Sequence, residues 1–114
     1  MSIARHEVGS RLSQAVKHGD TIYVAGQVDD SGPSVKAQTE GILRKIDGLL
    51  KHFGSDKTKL LYTTIYLVDM GSFAEMNAVW DAWVAPGHTP ARATVQAKLA
   101  NPKYLVEIQM IAAA

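Results

Sequence analysis

The order of apolar and polar positions along the chain predicts a series of short elements, and the first two are extended. One run spans Ser13–His18 and the next spans residues 21–25. Gly19 and Asp20 lie between them, and such a pair favours the tight turn that joins antiparallel strands. The start of the chain is therefore predicted to form a β-hairpin.

Helical spacing begins after a loop rich in turn formers. Over residues 35–53 the apolar side chains recur at spacings of three, four and seven, which is the stripe of an amphipathic helix. Ser34 is well placed to cap its first turn. Lys51 and His52 suit the negative end of the helix dipole, and Gly54 can end the helix. We expect one long helix here.

The middle of the chain adds a strand and a second helix. Residues 60–68 are rich in Thr, Tyr, Ile and Val and are apolar on both faces, which predicts a central position in a sheet. Ser72 and Glu75 have the spacing of a capping box, and residues 73–83 continue as an amphipathic helix. Pro86-Gly87 is expected to end it.

Two more strands are predicted at residues 91–99 and 104–111, separated by a turn-forming spacer at 100–103. Both alternate between apolar and polar side chains, so each presents one polar face. The polar face carries Arg92, Thr94, Glu107 and Gln109.

The element order ββαβαββ predicts an α/β (α+β) fold with a single mixed β-sheet and two helices packed on one face. A chain of 114 residues is expected to form a single domain over residues 1–114. The four polar residues of the last two strands are then expected on the face away from the helices. A domain this short gains from association, because an oligomer buries more surface.

Composition excludes several classes of function. Apolar residues make up 46% and charged residues 20%, which is typical of a globular domain. The net charge of +1 provides no general attraction for nucleic acid, so no nucleic-acid partner is expected. With no cysteine there is no disulfide, thiolate metal site or cysteine nucleophile.

The remaining features point to a small, cofactor-free protein of the cytoplasm. The four histidines lack the spacing of metal ligands, so no metal is expected, and all four are interpreted as surface residues. No apolar run approaches the ~20 residues of a membrane span, and the first seven residues are too polar for a signal peptide. We therefore expect no membrane partner and a cytoplasmic location.

At this point six segments resemble the RidA proteins, the reactive intermediate deaminases once grouped as YjgF. They lie in the family's order and extend from Leu12 to the C-terminus. The segments are 13–16 (SQAV), 24–27 (VAGQ), 64–70 (TIYLVDM), 73–77 (FAEMN), 90–95 (PARATV) and 105–108 (LVEI). Each segment alone is weak, whereas six in register are specific.

The resemblance implies a chorismate-mutase-like homotrimer with helices outside, sheets facing inward and clefts between subunits. It implies hydrolysis of enamines and imines to 2-oxo acids and ammonia, without a cofactor. By the same resemblance Arg92 holds the substrate carboxylate and Glu107 handles water, while Asn77 and the backbone around Gly26 lie near the cleft.

Three positions depart from the family pattern. Leu12 stands where archetypal members have tyrosine, Ala25 where serine precedes the glycine, and Thr94 where many have cysteine. We expect Leu12 and Ala25 to line a modified pocket, although a plain core leucine is the commoner explanation for Leu12. Thr94 either donates a hydrogen bond to the substrate or merely suits a strand. These departures indicate a divergent branch of the family.

The chemistry of the two main candidates fits such a reaction. The planar fork of Arg92 can bind a carboxylate through two parallel hydrogen bonds, and the alternative is a solvated arginine or a structural ion pair. Glu107 lies between apolar residues, so its carboxyl must be paired or have a raised pKa, and either state suits water activation. The alternative is a polar strand residue paired with Lys98 or Arg92.

A geometric problem accompanies this assignment. If the last two strands form a hairpin that pairs Leu99 with Tyr104, then Glu107 lies opposite Gln96. Four residues separate that position from Arg92, or ~13 Å at ~3.3 Å per residue. Either the register differs from this hairpin, or Arg92 and Glu107 of one pocket belong to different subunits.

Two classes of function follow from the sequence. The first is an enamine/imine deaminase, a hydrolase that acts on small 2-imino acids, with Arg92 and Glu107 as catalytic residues and Thr94 and Gly26 assisting. The second is a non-catalytic trimeric protein that binds a small 2-oxo or related carboxylic acid. In both, the partner is a small-molecule carboxylate. Ribonuclease activity is poorly supported, because no basic stripe or paired histidines share a face.

Overall fold

The computed structural model describes residues 1–114 and contains one six-stranded sheet and two α-helices. The elements in chain order are β1 (Ile3–Val8), β2 (Ser13–His18), β3 (Thr21–Gln27), α1 (Val35–His52), β4 (Leu60–Leu67), α2 (Phe73–Trp83), β5 (Ala91–Gln96) and β6 (Val106–Ala113). The strands lie in the order β1-β2-β3-β6-β4-β5. Only β4 and β5 are parallel, so the sheet is mixed, as predicted.

Alternation in β6 accounts for the position of the core. Val106, Ile108, Met110 and Ala112 are buried, and the residues between them are at least partly exposed. The buried set faces the helices, which pack against each other and lie on one face of the sheet. The prediction that both helices pack on one face is confirmed.

Local hydrogen bonding explains why α1 begins where it does. The Ser34 side-chain oxygen accepts a hydrogen bond from the backbone N–H of Ala37 at 3.0 Å. This bond satisfies one of the N–H groups that a helix start leaves without a partner. The helix ends at His52, one residue earlier than predicted, and Gly54 follows with a φ of 75°. The predicted cap and helix are confirmed.

The start of α2 differs from the predicted capping box. Ser72 makes no side-chain capping bond and donates its hydroxyl to the Asp69 carbonyl at 2.7 Å. A short 3-10 helix over Met70–Ser72 precedes α2 and places Ser72 in that turn. The Glu75 carboxylate accepts from the backbone N–H of Lys36 at 2.8 Å, so it serves the first turn of α1 instead.

Strand boundaries near the two ends were also predicted imperfectly. β1 was missed; it pairs antiparallel with β2, and all but one of its residues are exposed. A strand without a buried face has no hydrophobic alternation for sequence analysis to detect. β5 ends at Gln96, three residues earlier than predicted, and β6 begins at Val106 and ends at Ala113.

The predicted terminal hairpin is wrong. β4 lies between β5 and β6, and α2 connects β4 to its parallel neighbour β5. β6 then enters the sheet between β3 and β4. Glu107 therefore lies beside Tyr66 of β4 and not opposite Gln96.

Neither helix is long and apolar enough to cross a membrane.

The Ser34 cap generates a stability prediction. Replacement Ser34→Ala removes the acceptor for the Ala37 N–H and should lower the free energy of unfolding by about 1 kcal/mol. Ser34→Asp keeps a capping oxygen and should leave it almost unchanged. Urea unfolding at one fixed protein concentration measures both variants. Equal stability of Ser34→Ala and the parent chain would contradict the role of this cap.

Candidate functional site

Arg92 lies on the face of the sheet that the helices cover. In the register it neighbours Thr63 of β4, which is fully buried. Its guanidinium donates from Nη1 to Asn77 Oδ1 at 2.8 Å, and its Cζ lies 5.3 Å from the ring centroid of Trp80 and 5.8 Å from that of Phe73. All three partners belong to α2. The expectation that Arg92 lies on the face away from the helices is wrong.

Thr94 shares that face, since its neighbour in β4 is the buried Ile65. Its hydroxyl is buried and has no hydrogen-bond partner. The hydroxyl of Thr63, which lies beside Arg92, is also buried and without a partner. A buried hydroxyl without a partner is unfavourable, and Thr94 is two positions from Arg92 on the same strand. Thr94 therefore has a free hydrogen-bonding group near the guanidinium, although its predicted face was also wrong.

Glu107 lies on the opposite, helix-free face, which we call the open face. Its neighbours in sequence, Val106 and Ile108, are buried under the helices, whereas Glu107 is partly exposed. Beside it on β4 is Tyr66, whose hydroxyl donates to Gln109 Oε1 at 3.2 Å. The prediction for Glu107 and Gln109 is confirmed.

Gly26 lies directly against the Glu107 side chain. The pairing of β3 with β6 is irregular between Val24 and Gln27, which takes Ala25 and Gly26 out of the regular ladder. A Cβ on Gly26 would lie 2.9 Å from Glu107 Cδ and closer still to Oε2. Only glycine leaves room for the carboxyl in this position. Ala25 is half-buried, and its carbonyl accepts from the Gln27 side-chain amide at 2.9 Å.

Leu12 is not a core residue. It lies in the turn between β1 and β2, where its carbonyl accepts from the Gly9 N–H at 2.8 Å, and it is 54% exposed. With Gln14 and Gly26 it lines one side of a cavity of about 720 Å³. This placement is consistent with the prediction that Leu12 lines a pocket near Gly26. Neither Arg92 nor Glu107 lines this cavity.

Asp29 also lines this cavity, and its role is structural. Burial alone would raise the pKa of Asp29, but hydrogen bonds from the Ser31 hydroxyl and N–H and the Lys45 ammonium 3.4 Å away outweigh it. The pKa of Asp29 is thereby held below its ordinary value of 3.8. Asp29 is an ionised anchor for the loop between β3 and α1 and is poorly suited to donate a proton.

The histidines form no metal site. His6 is half-buried and stacks on His52 with ring centroids 3.5 Å apart, so it is only partly exposed at the surface. His18, His52 and His88 are exposed. No cluster of three or more histidine, aspartate or glutamate side chains could hold an ion.

Arg92 and Glu107 of one chain cannot reach the same small molecule. Across the sheet Arg92 is level with Met110, and Glu107 is three positions further along β6, or about 10 Å at ~3.3 Å per residue. β4 separates the two strands, and the two side chains leave opposite faces of the sheet. The sequence left two explanations, a different strand register or a site shared by two subunits. Only the second can bring Arg92 and Glu107 to one ligand.

The open face carries several exposed apolar side chains. Tyr23 is 49% exposed, and Tyr62 and Val95 are each 41% exposed. Ile111 lies between Tyr23 and Tyr62 in the register, so these side chains form a continuous row across three strands. Exposed apolar surface of this kind is typical of a protein–protein contact.

The aromatic partners of Arg92 were not predicted from the sequence. Phe73, Asn77 and Trp80 are spaced by four and three residues, which places them on one face of a helix. That spacing was available in the sequence. Trp80 is buried, with 5% exposure. What the sequence did not show was that β5 turns Arg92 toward this helix face.

Comparisons with known proteins agree on one family. The family described as endoribonuclease L-PSP matches residues 3–114. The RutC family protein YoaB of Escherichia coli is 45% identical over 113 residues, covering 99% of each chain. A crystal structure from Neisseria meningitidis, described as a member of the YjgF protein family, is 47% identical with a TM-score of 0.97, covering 99% of this chain and 95% of that one. A Mycobacterium tuberculosis member of the YjgF/YER057c/UK114 family is 29% identical with a TM-score of 0.91, covering 99% and 100%.

The contact between Gly26 and Glu107 generates a prediction. Gly26→Ala should displace the Glu107 carboxyl while the fold is retained, because the atoms that the new Cβ meets are the far end of a flexible side chain. A crystal structure of the variant checks the displacement. Gly48→Ala is the matched control, since a Cβ there meets nothing within 4 Å, and it should stabilise α1 by about 0.5–1 kcal/mol. An unmoved Glu107 in Gly26→Ala would contradict the tight packing described above.

Proposed function

Because this chain belongs to the RidA/YjgF family, we propose that it is an imine deaminase that hydrolyses small 2-imino acids to 2-oxo acids and ammonia. We further propose that it acts as a homotrimer, in which each site takes Arg92 from one subunit and Glu107 from its neighbour. The reaction requires no cofactor in this proposal.

The observation that carries the proposal is the environment of Arg92. The guanidinium has a neutral hydrogen-bond partner, Asn77, and forms no ion pair with a carboxylate of its own chain. The unpaired hydroxyl of Thr94 is two positions away on the same strand. A ligand carboxylate would accept charge-assisted hydrogen bonds from the free N–H groups of Arg92. Thr94 would donate one more once its hydroxyl, which is buried in the free chain, turns toward the ligand. The absence of an ion pair within the chain argues against a purely structural role.

Glu107 supplies the proton transfers in this scheme. Its carboxylate takes a proton from water as the water oxygen bonds to the imine carbon, and it then delivers that proton to the nitrogen, which gives a carbinolamine. The carboxylate next takes the proton of the new hydroxyl group and passes it to the nitrogen. The C–N bond breaks, the C=O bond forms, and ammonia leaves with a 2-oxo acid as the other product. Gly26 supports the assignment, because its lack of a Cβ leaves space for the Glu107 carboxyl.

The trimer is supported by the unequal faces of the sheet. The helices cover one face, while the open face carries exposed Tyr23, Tyr62 and Val95 together with Glu107. A second copy seated on that face buries the apolar row and brings an Arg92 from the neighbouring subunit toward Glu107. Leu12 and Ala25 then line the pocket with aliphatic surface where the family usually has tyrosine and serine.

Two other activities are distinguished by experiment. A trimer that binds 2-oxo acids without turnover is the alternative, and it predicts ligand binding with no deaminase activity. The family description names an endoribonuclease. The cavity beside Gly26 carries Glu7, Asp29 and Asp30 against a single lysine, Lys45, which is unfavourable for a phosphate backbone.

Activity measurements test the roles of the two residues. An amino-acid oxidase releases the imine, semicarbazide traps it, and the protein should lower the yield of trapped product. Arg92→Ala should reduce kcat/KM by about 10- to 100-fold, because it loses hydrogen bonds to a charged group. Glu107→Gln should reduce kcat by about 100-fold or more, because it loses the proton acceptor. Arg44→Ala, at an exposed position of α1, is the control. Full activity of Arg92→Ala would overturn the assignment.

Subunit complementation tests the shared site. Arg92→Ala and Glu107→Gln chains are co-expressed with different tags, and trimers that contain both are purified by both tags in succession. In either mixed trimer one of the interfaces joins an intact Arg92 to an intact Glu107, so about a third of the parent activity should return. Trimers of either variant alone serve as controls. Intact mixed trimers without activity would contradict a site formed by two subunits.

A further inference from the structure

The Arg92 side chain is held by two aromatic rings of α2 as well as by a hydrogen bond. Its Cζ lies 5.3 Å from the Trp80 centroid and 5.8 Å from the Phe73 centroid. Asn77 Oδ1 accepts from Nη1 at 2.8 Å. Because these three residues share one face of α2, the helix fixes their positions relative to each other. We call Phe73, Asn77 and Trp80 the arginine bracket.

Trp80 differs from the other bracket residues in its burial. It is 5% exposed and belongs to the hydrophobic core, whereas Phe73 is 40% exposed. A ligand bound at Arg92 therefore has little access to Trp80. Any effect of Trp80 on that ligand must be transmitted through Arg92.

The contact between the Trp80 indole and the Arg92 guanidinium favours an effect of Trp80 on ligand binding. The face of an indole carries negative charge density and attracts a cation, and the attraction is stronger where water is excluded. An arginine side chain free in solution populates many rotamers, and ordering it on binding is unfavourable. A guanidinium already held against an indole has lost that freedom before the ligand arrives. Less conformational entropy is then lost on binding, and the affinity is higher.

We propose that Trp80 is a positioning residue, which orients the Arg92 guanidinium so that its free N–H groups face a carboxylate ligand. The inference rests on the proposed function, because it assumes that Arg92 binds a carboxylate. Trp80 does not touch the substrate and takes no part in proton transfer.

Trp83 provides a matched control on the same helix. Its indole N–H donates to Asp47 Oδ2 at 3.0 Å, and its ring lies 5.4 Å from the Lys57 ammonium. Its indole is therefore engaged by residues other than Arg92, although its ring centroid is 5.5 Å from that of Trp80. Both tryptophans pack in or against the core, Trp80 as a buried member and Trp83 as a partly buried neighbour, but only Trp80 contacts the guanidinium.

The experiment measures binding of 2-oxobutanoate by calorimetry and turnover by the imine-trapping assay. Trp80→Leu should weaken 2-oxobutanoate binding and raise KM by about tenfold, the size expected for a cation–π contact that is partly shielded from water, while kcat changes little. Trp80→Phe retains an aromatic face and should recover most of the affinity. Trp83→Leu should bind within about twofold of the parent chain.

A second measurement applies even if Trp80→Leu fails to fold. In Trp83→Phe, Trp80 is the only remaining tryptophan, because the chain contains two. A carboxylate bound to Arg92 reduces the positive field at the indole, so saturating 2-oxobutanoate should shift the Trp80 emission. The neutral analogue 2-butanone should cause no shift.

The outcomes separate this inference from the proposed function. Suppose the parent chain binds 2-oxobutanoate and hydrolyses the imine. If Trp80→Leu then binds 2-oxobutanoate equally well, or if the Trp80 emission does not respond at saturation, the positioning role is overturned and the proposed function stands. If the parent chain shows no binding and no turnover, both are overturned.

Discussion

The burial of alternate residues of β6 is the constraint on which the rest of the structure depends. β6 lies between β3 and β4, and Val106, Ile108 and Met110 must face the helices to complete the core. Side chains on a strand alternate between faces, so Glu107 has no choice but the open face. The same register brings the Glu107 carboxyl against Gly26 at the irregular end of β3. The candidate water-handling group is thus placed by core packing.

A second consequence concerns the proposed division of the site between subunits. Arg92 is placed by β5, which pairs with β4 in the parallel sense after α2 crosses the sheet. That register turns Arg92 toward α2 and away from the face that holds Glu107. A sheet one layer thick cannot bring opposite faces to one small ligand. Combination of the two groups therefore depends on association, and the apolar row of Tyr23, Ile111 and Tyr62 on the open face favours it.

Sequence patterns predicted the elements with a buried stripe and failed where that signal is weak. The period of α1 and the Ser34 cap were readable, since a long helix repeats its pattern many times. β1 has almost no buried residue, so no alternation marked it. In β5 the alternation itself was correct, but Ala91 and Ala93 are too small to indicate which face the core requires. Strand order depends on contacts distant in sequence, and so the terminal hairpin was predicted in place of the central position of β6.

The partners of Arg92 explain how an arginine beside a helix can keep its charge available for an anion. A guanidinium that is partly withdrawn from water needs compensation. A carboxylate of the same chain would provide it but would also neutralise the charge. Asn77 and the rings of Trp80 and Phe73 compensate the cation with dipoles and quadrupoles, which carry no net charge. The positive charge therefore remains available. Neutral partners distinguish the proposed ligand-binding role of Arg92 from a structural ion pair, and in this chain one face of α2 provides them.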